Sequence, residues 1–188
     1  MPPEVAVTVP QHILDGQYYR TATALMLHAN GLHLAGNLLG IALFGTAVCS
    51  VTGWGVGGLM ILMSGIAGNF VNAALYRTGH ISIGASTAVF GAVGFLAAHQ
   101  FFKKVSLPGQ HIKAWLPLGG GLALLGLLGS GQHVDLTAHL FGFGSGIVFG
   151  LGYGLLIKHP ASTRYQIASF LSVVSILTVA WRAAFGNG

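Results

Sequence analysis

Two side chains stand out for nucleophilic chemistry, Ser86 and His139. Each lies in an apolar stretch dotted with glycine: Gly84-Ala85-Ser86-Thr87-Ala88-Val89-Phe90-Gly91-Ala92-Val93-Gly94, and Ala138-His139-Leu140-Phe141-Gly142-Phe143-Gly144-Ser145-Gly146. A serine hydroxyl is a weak nucleophile until a base within hydrogen-bond reach takes its proton, and imidazole suits that task. A third group, His28, His33 and Asn37, supplies donors. His33 and Asn37 are four apart and so share one helix face, from which both can donate to a developing oxyanion.

Each residue also has a plainer reading when taken alone. Ser86 opens a helix and would serve as its N-cap. A buried His139 could bond a backbone carbonyl, and the His28, His33 and Asn37 group could be a polar clasp between helices. Zinc is a further reading of that group, but HExxH is absent and no glutamate lies nearby, so neither a metal nor another cofactor is expected. Asp135, one turn before His139, would orient it in a triad. It stands where the apolar run starts, however, and reads better as an N-cap, leaving a Ser/His dyad.

The elements that must position these groups are membrane helices. Of 188 residues, 53% are hydrophobic and only 6% charged, against about 25% charged in a soluble domain. Eight Lys and Arg with three Asp and Glu cannot give a globule of this size a solvated skin. The fold class expected is therefore an all-α polytopic membrane protein in a lipid bilayer. An isoelectric point near 9.7 does not indicate nucleic-acid binding, because the basic residues are scattered over loops and form no patch. The single cysteine, Cys49, excludes a disulfide framework. Residues 1–15 lack the basic start and apolar core of a signal peptide. Thirty glycines lie within the apolar runs, where small residues let helix backbones approach closely.

A helix needs about 20 apolar residues to cross the hydrocarbon. On that measure residues 1–30 form an external lead-in and loop, and spans run over about 32–51, 56–76, 86–102, 114–128, 134–157 and 167–184. Gly53-Trp54-Gly55 is expected to turn the chain, and Pro117 with three successive glycines to interrupt the fourth span. Neither a repeat nor a second domain is visible. Lys103, Lys104, Lys113, Lys158 and Arg164 fall on one side, and Arg20, Arg77 and Arg182 on the other. The bias makes the first side cytoplasmic and puts Ser86 and His139 at the external ends of their helices. Gly142 and Gly146 give one small face below His139, and Thr87, Gly91, Gly94 and Ala98 another along the serine helix, so contact of the two would join the pair.

These residues resemble the rhomboid family of intramembrane serine proteases. His28 to Asn37 resembles that family's HxxxxHxxxN motif, Gly84-Ala85-Ser86 the start of its GxSG motif, and Ala138-His139-Leu140-Phe141-Gly142 with Gly146 its AHxxGxxxG motif. Gly16 to Arg20 is similar to the tryptophan-arginine element of its first external loop, and the likeness extends from about Gly16 to Ile157. The resemblance implies Ser86 as nucleophile, His139 as general base, and His33, Asn37 and the Ser86 N–H as an oxyanion hole. It implies supporting parts for Gly84, Phe90 (packed on the histidine), Gly142, Gly146, Arg20, and His28 at the mouth. It further implies transmembrane-helix protein substrates, cleaved near their external ends.

Two departures from the family pattern shape the expectations. Thr87 stands where the family usually has glycine and should narrow the space beside the nucleophile. The family core has a span before the external loop. The expectation is thus a six-helix rhomboid-like bundle lacking the first core helix, unless the true start lies upstream, and carrying an extra C-terminal one. The short loops and absent targeting sequence point to a bacterial inner membrane, with the site opening externally. A rhomboid-like pseudoprotease that binds transmembrane clients without cutting is the alternative, although a binder does not need the whole polar set. A proton-relay transporter would call for internal repeats or paired broken helices.

Overall fold

A computed structural model describes residues 6–75, 81–105, 107–128, 135–157 and 161–186 of the chain. The described elements are all helical apart from one isolated bridge, between Thr8 and Ser82. The lead-in is folded but does not span. It holds the short helices α1 (Pro10–Leu14) and α2 (Arg20–Thr23), the latter running into a 3₁₀ turn at Ala24–Met26. Helix α3 (Gly31–Gly40) starts where the Asn30 side chain accepts a hydrogen bond from the His33 N–H at 2.9 Å, the usual task of an asparagine N-cap.

A five-residue π turn (Ile41–Gly45) joins α3 to α4 (Thr46–Thr52), making one run of 22 residues. Gly53, at φ +87°, breaks it, and α5 (Trp54–Leu75) begins at the next residue. Of the turn expected at Gly53-Trp54-Gly55, only the first residue lies outside a helix. Helix α6 (Ser86–Val105) follows, then α7 (His111–Ala114), α8 (Leu116–Leu128), α9 (Leu136–Leu156) and α10 (Thr163–Gly186).

Among the described residues, four helical runs are long and apolar enough to cross a membrane: Gly31–Thr52, Trp54–Leu75, Leu136–Leu156 and Thr163–Gly186. They match the expected first, second, fifth and sixth spans. The expected third span is α6, which carries Lys103 and Lys104 in its last turn. The expected fourth is cut short at its start: the helical path breaks at Trp115, between α7 and α8, and Pro117 sits in the first turn of α8, where its missing N–H is not needed. The three glycines continue that helix instead of breaking it. Tyr76, Arg77, the Gly129–His133 turn, Val134 and Lys158 lie outside the described residues.

Helix α6 is the centre of the packing. Ala92 and Phe95 join Val48, Val56 and Tyr153 in one core cluster; Phe90 and Val93 join Leu125 and Phe143 in a second; Ala88 joins Leu25 and Leu62 in a third. In lipid this burial gains little from the hydrophobic effect and depends on close packing and internal hydrogen bonds. Helix α10 lies against α5, with Val173, Ile176 and Leu177 on the third cluster. Its buried Gln166 accepts from the N–H groups of Gly55 (2.9 Å) and Val56 (3.0 Å) and donates to the Thr52 carbonyl at 2.8 Å. One amide thus satisfies the end of α4 and the start of α5, backbone groups that a membrane helix terminus cannot leave unpaired.

Candidate active site

Ser86 is the first residue of α6, whose opening turn closes with the Val89 N–H bonded to the Ala85 carbonyl at 2.9 Å. The chain reaches it through Gly84, held at φ +121°, a conformation open to glycine and strained for other residues. The Gly84 N–H donates to the Ala24 carbonyl at 2.9 Å, and Ser82 exchanges backbone hydrogen bonds with Thr8 at 3.3 Å each. The lead-in therefore fixes the approach to the serine. Thr23 and Arg20 hold that lead-in in turn, bonding the carbonyls of Ala6 (2.8 Å) and Val7 (3.1 Å), while the Arg20 Nε donates to Gln17. Arg20 is buried and bonds within this segment.

His139 lies in the first turn of α9. Its Nε2 and the Ser86 Oγ are 2.6 Å apart, across 53 residues of sequence. With Nε2 unprotonated, the serine hydroxyl donates and the imidazole accepts, the geometry in which a hydroxyl can lose its proton as it attacks. The Phe90 ring, one turn below Ser86, lies 4.7 Å from the imidazole centroid at 32°. His139 is 6% exposed and its Nδ1 has no hydrogen-bond partner among the described residues. Asp135 makes no hydrogen bond to that nitrogen. Its carboxylate accepts from the Ala138 N–H (2.9 Å), the Thr137 hydroxyl (2.7 Å) and the Asn72 amide (3.0 Å), so it caps α9 as the sequence indicated.

Glycines set how closely the two helices meet. A Cβ on Gly146 would stand 2.9 Å from the Gly91 Cα, and one on Gly94 3.1 Å from the Phe143 Cα, so backbone rests on backbone. The two small faces read from the sequence are the ones in contact. Thr87 does not crowd the serine as expected. It is 2% exposed, and its methyl fills a gap bounded by two glycines, since a Cβ on Gly68 or Gly142 would meet it at 2.8 or 2.9 Å. Gly68 of α5 is the residue that sequence reasoning missed here.

His33 and Asn37 come from α3 to the same place. A Cβ on Gly84 would lie 2.6 Å from the His33 Nε2 and 3.2 Å from the Asn37 Nδ2, so both side chains rest on the glycine two residues before Ser86. The Asn37 Nδ2 is buried with no partner among the described residues. An unpaired buried donor is costly and calls for a reason. The His28 ring packs edge-on to His33 at 5.1 Å, and its Nε2 is likewise unpaired. Among the described residues no group of three metal-ligating side chains occurs. Asn69 and Asn72, three apart within the apolar α5, passed unweighed in the sequence although polar groups in a membrane helix are expensive. They bond the Thr21 carbonyl (2.9 Å) and Asp135.

The arrangement thus joins a serine at a helix N-terminus, a histidine acceptor and an idle amide donor, at one end of an apolar bundle. The family model described as the Rhomboid domain matches residues 15–156. RHOMBOID-like protein 1 of Arabidopsis thaliana is 32% identical over 155 residues, 82% of this chain but 38% of its own length. YdcA of Bacillus subtilis (strain 168), which carries the name of a candidate rhomboid protease, is 29% identical over 136 residues, 72% of this chain and 67% of its own. Inactive rhomboid protein 2 of Homo sapiens is 26% identical over 164 residues, 19% of its length. The match covers more than half of the chain, and on it the chain belongs to the rhomboid family.

Proposed function

We propose that this chain is an intramembrane serine endopeptidase that cuts transmembrane helices of client proteins through a Ser86/His139 dyad. The observation that carries the reading is the 2.6 Å Ser86–His139 hydrogen bond between helices otherwise built from apolar and small residues. Ser86 Oγ attacks the scissile carbonyl carbon while its proton passes to His139 Nε2, and the carbonyl electron pair moves onto oxygen. The Ser86 N–H, His33 and the Asn37 amide take that oxyanion; the first lies at a helix terminus, where unpaired N–H groups favour negative charge. The tetrahedral species collapses, His139 protonates the leaving amine, and water releases the acyl group by the same two steps. Nothing in this sequence of events needs Asp135 as a third member.

Phe90 confines the imidazole, and His28 lines the mouth through which water enters. Gly84, Gly142 and Gly146 give the oxyanion donors and the two helices their close approach, and Arg20 holds the loop. A substrate helix must unwind before its carbonyl can reach Ser86, because helical peptide groups are shielded by their own hydrogen bonds. We take α6 and α8 as spans also, giving a six-helix bundle whose Lys103, Lys104, Lys113 and Arg164 mark the cytoplasmic side of a bacterial inner membrane. The site then opens externally.

The name of the human relative describes an inactive protein, and a client-binding pseudoprotease is the competing reading. The test is cleavage of a reporter transmembrane helix by the parent, Ser86→Ala and His139→Ala in reconstituted vesicles. Cleavage by the parent alone is expected. Equal cleavage by all three overturns the mechanism, and absence of both cleavage and fluorophosphonate labelling of Ser86 in the parent favours the binder.

A further inference from the structure

We infer that Asn69 and Asn72 form a frame on α5 that sets the separation of Ser86 and His139. The two lie three residues apart in the last turns of α5 and so point to one side of it. The Asn69 Nδ2 donates to the Thr21 carbonyl at 2.9 Å. Thr21 belongs to α2, and the turn that continues it supplies the Ala24 carbonyl, which accepts from the Gly84 N–H at 2.9 Å, two residues before Ser86. The Asn72 Nδ2 donates to one oxygen of Asp135 at 3.0 Å, and the other oxygen accepts from the Ala138 N–H at 2.9 Å, one residue before His139. The serine branch and the histidine branch thus each return to the same helix through one asparagine.

Neither asparagine touches the reacting atoms, so both are positioning residues. Lower down, the glycine contacts among Gly68, Gly142, Gly91 and Gly146 hold the helices together without them. At the site end that support runs out. The serine is approached by non-helical chain, and α9 begins just three residues before His139, in a first turn whose N–H groups have no partners within the helix. First turns and loops are where native structures open most easily. The asparagines act at those two weak points, which accounts for two amides being kept in an otherwise apolar span.

This inference rests on the proposed dyad for its effect on rate, and the experiment separates the two. Asn69→Ala and Asn72→Ala should each lower kcat for the reporter helix by about 10- to 100-fold with KM unchanged, since a misplacement near 1 Å costs about 10²-fold. Asn72→Asp sets two carboxylates together and should be at least as damaging. Combining it with Asp135→Asn rebuilds the pair with donor and acceptor exchanged, keeps an asparagine cap on α9, and should restore kcat. Amide exchange at residues 136–139 should rise in Asn72→Ala with the thermal unfolding temperature nearly unchanged. Unaltered kcat and exchange, or losses that follow global unfolding and simply add in the exchanged pair, overturn the frame. If the parent cleaves nothing, the protease reading fails, and the exchange measurement alone then decides: faster opening in Asn72→Ala upholds the frame and unchanged opening refutes it.

Discussion

Replacing Gly84 by alanine tests whether the donors and the nucleophile share one mount. Two effects act together at this position. The backbone at φ +121° lies where an L side chain is strained, at a cost of about 1–3 kcal/mol. The new methyl would also stand 2.6 Å from the His33 Cε1 and Nε2, whereas ordinary contact begins at 3.4 Å, so the imidazole must retreat. The retreat is about 1 Å, and a shift of that size in a positioned catalytic group lowers rate by about 10²-fold. Asn37, at 3.2 Å, is nudged and not expelled. Ser86 and His139 are held by α6 and α9 and are not among the atoms the methyl meets, so they should keep their bond. Gly84→Ala should therefore label with a fluorophosphonate yet cleave a reporter helix with kcat about 10²-fold lower and KM little changed. Cleavage within about threefold of the parent would refute the reasoning, because it would mean that His33 can be moved without touching the oxyanion.

Asn37→Ala removes the unpaired amide donor and should lower kcat by about 10²–10³-fold while sparing stability, measured by reporter cleavage and thermal unfolding in parallel. Gln166→Leu strands the Gly55 and Val56 N–H groups and the Thr52 carbonyl, at a cost of about 2–4 kcal/mol. Denaturant unfolding in detergent should detect it, and a change below about 0.5 kcal/mol would show that α10 is not held by this amide.

Ser86, His139, His33 and Asn37 were legible because each is a polar group in a run where polarity is costly, and because helical periodicity fixes which of them share a face. The glycine faces were legible for the same periodic reason. Other features depend on residues that no local pattern connects. Thr87 looked obstructive until Gly68, on a different helix, was found to leave room for its methyl. Asp135 was readable as a cap but not as the partner of Asn72, 63 residues away. Pro117 was read as a break within the fourth span, and the break falls two residues earlier, at Trp115, with the proline in the first turn of the helix that follows. The π turn at Ile41–Gly45 carries no proline or paired glycine to mark it, and lies between the buried Asn37 of α3 and the buried Val48 of α4.

The seam between α6 and α9 has a mechanical consequence. Where side chains separate two helices, their rotamers act as a compliant layer that can swell, thin or repack with temperature and lipid pressure. Between Gly91, Gly94, Gly142 and Gly146 there is no such layer, only main chain against main chain. The spacing there is set by covalent dimensions and atomic radii, which barely vary. A serine and a histidine mounted above such a contact stand on a base of fixed spacing, which the Asn69 and Asn72 bonds carry up to them. Bilayer thickness and curvature therefore have little purchase on the distance between α6 and α9 at this seam.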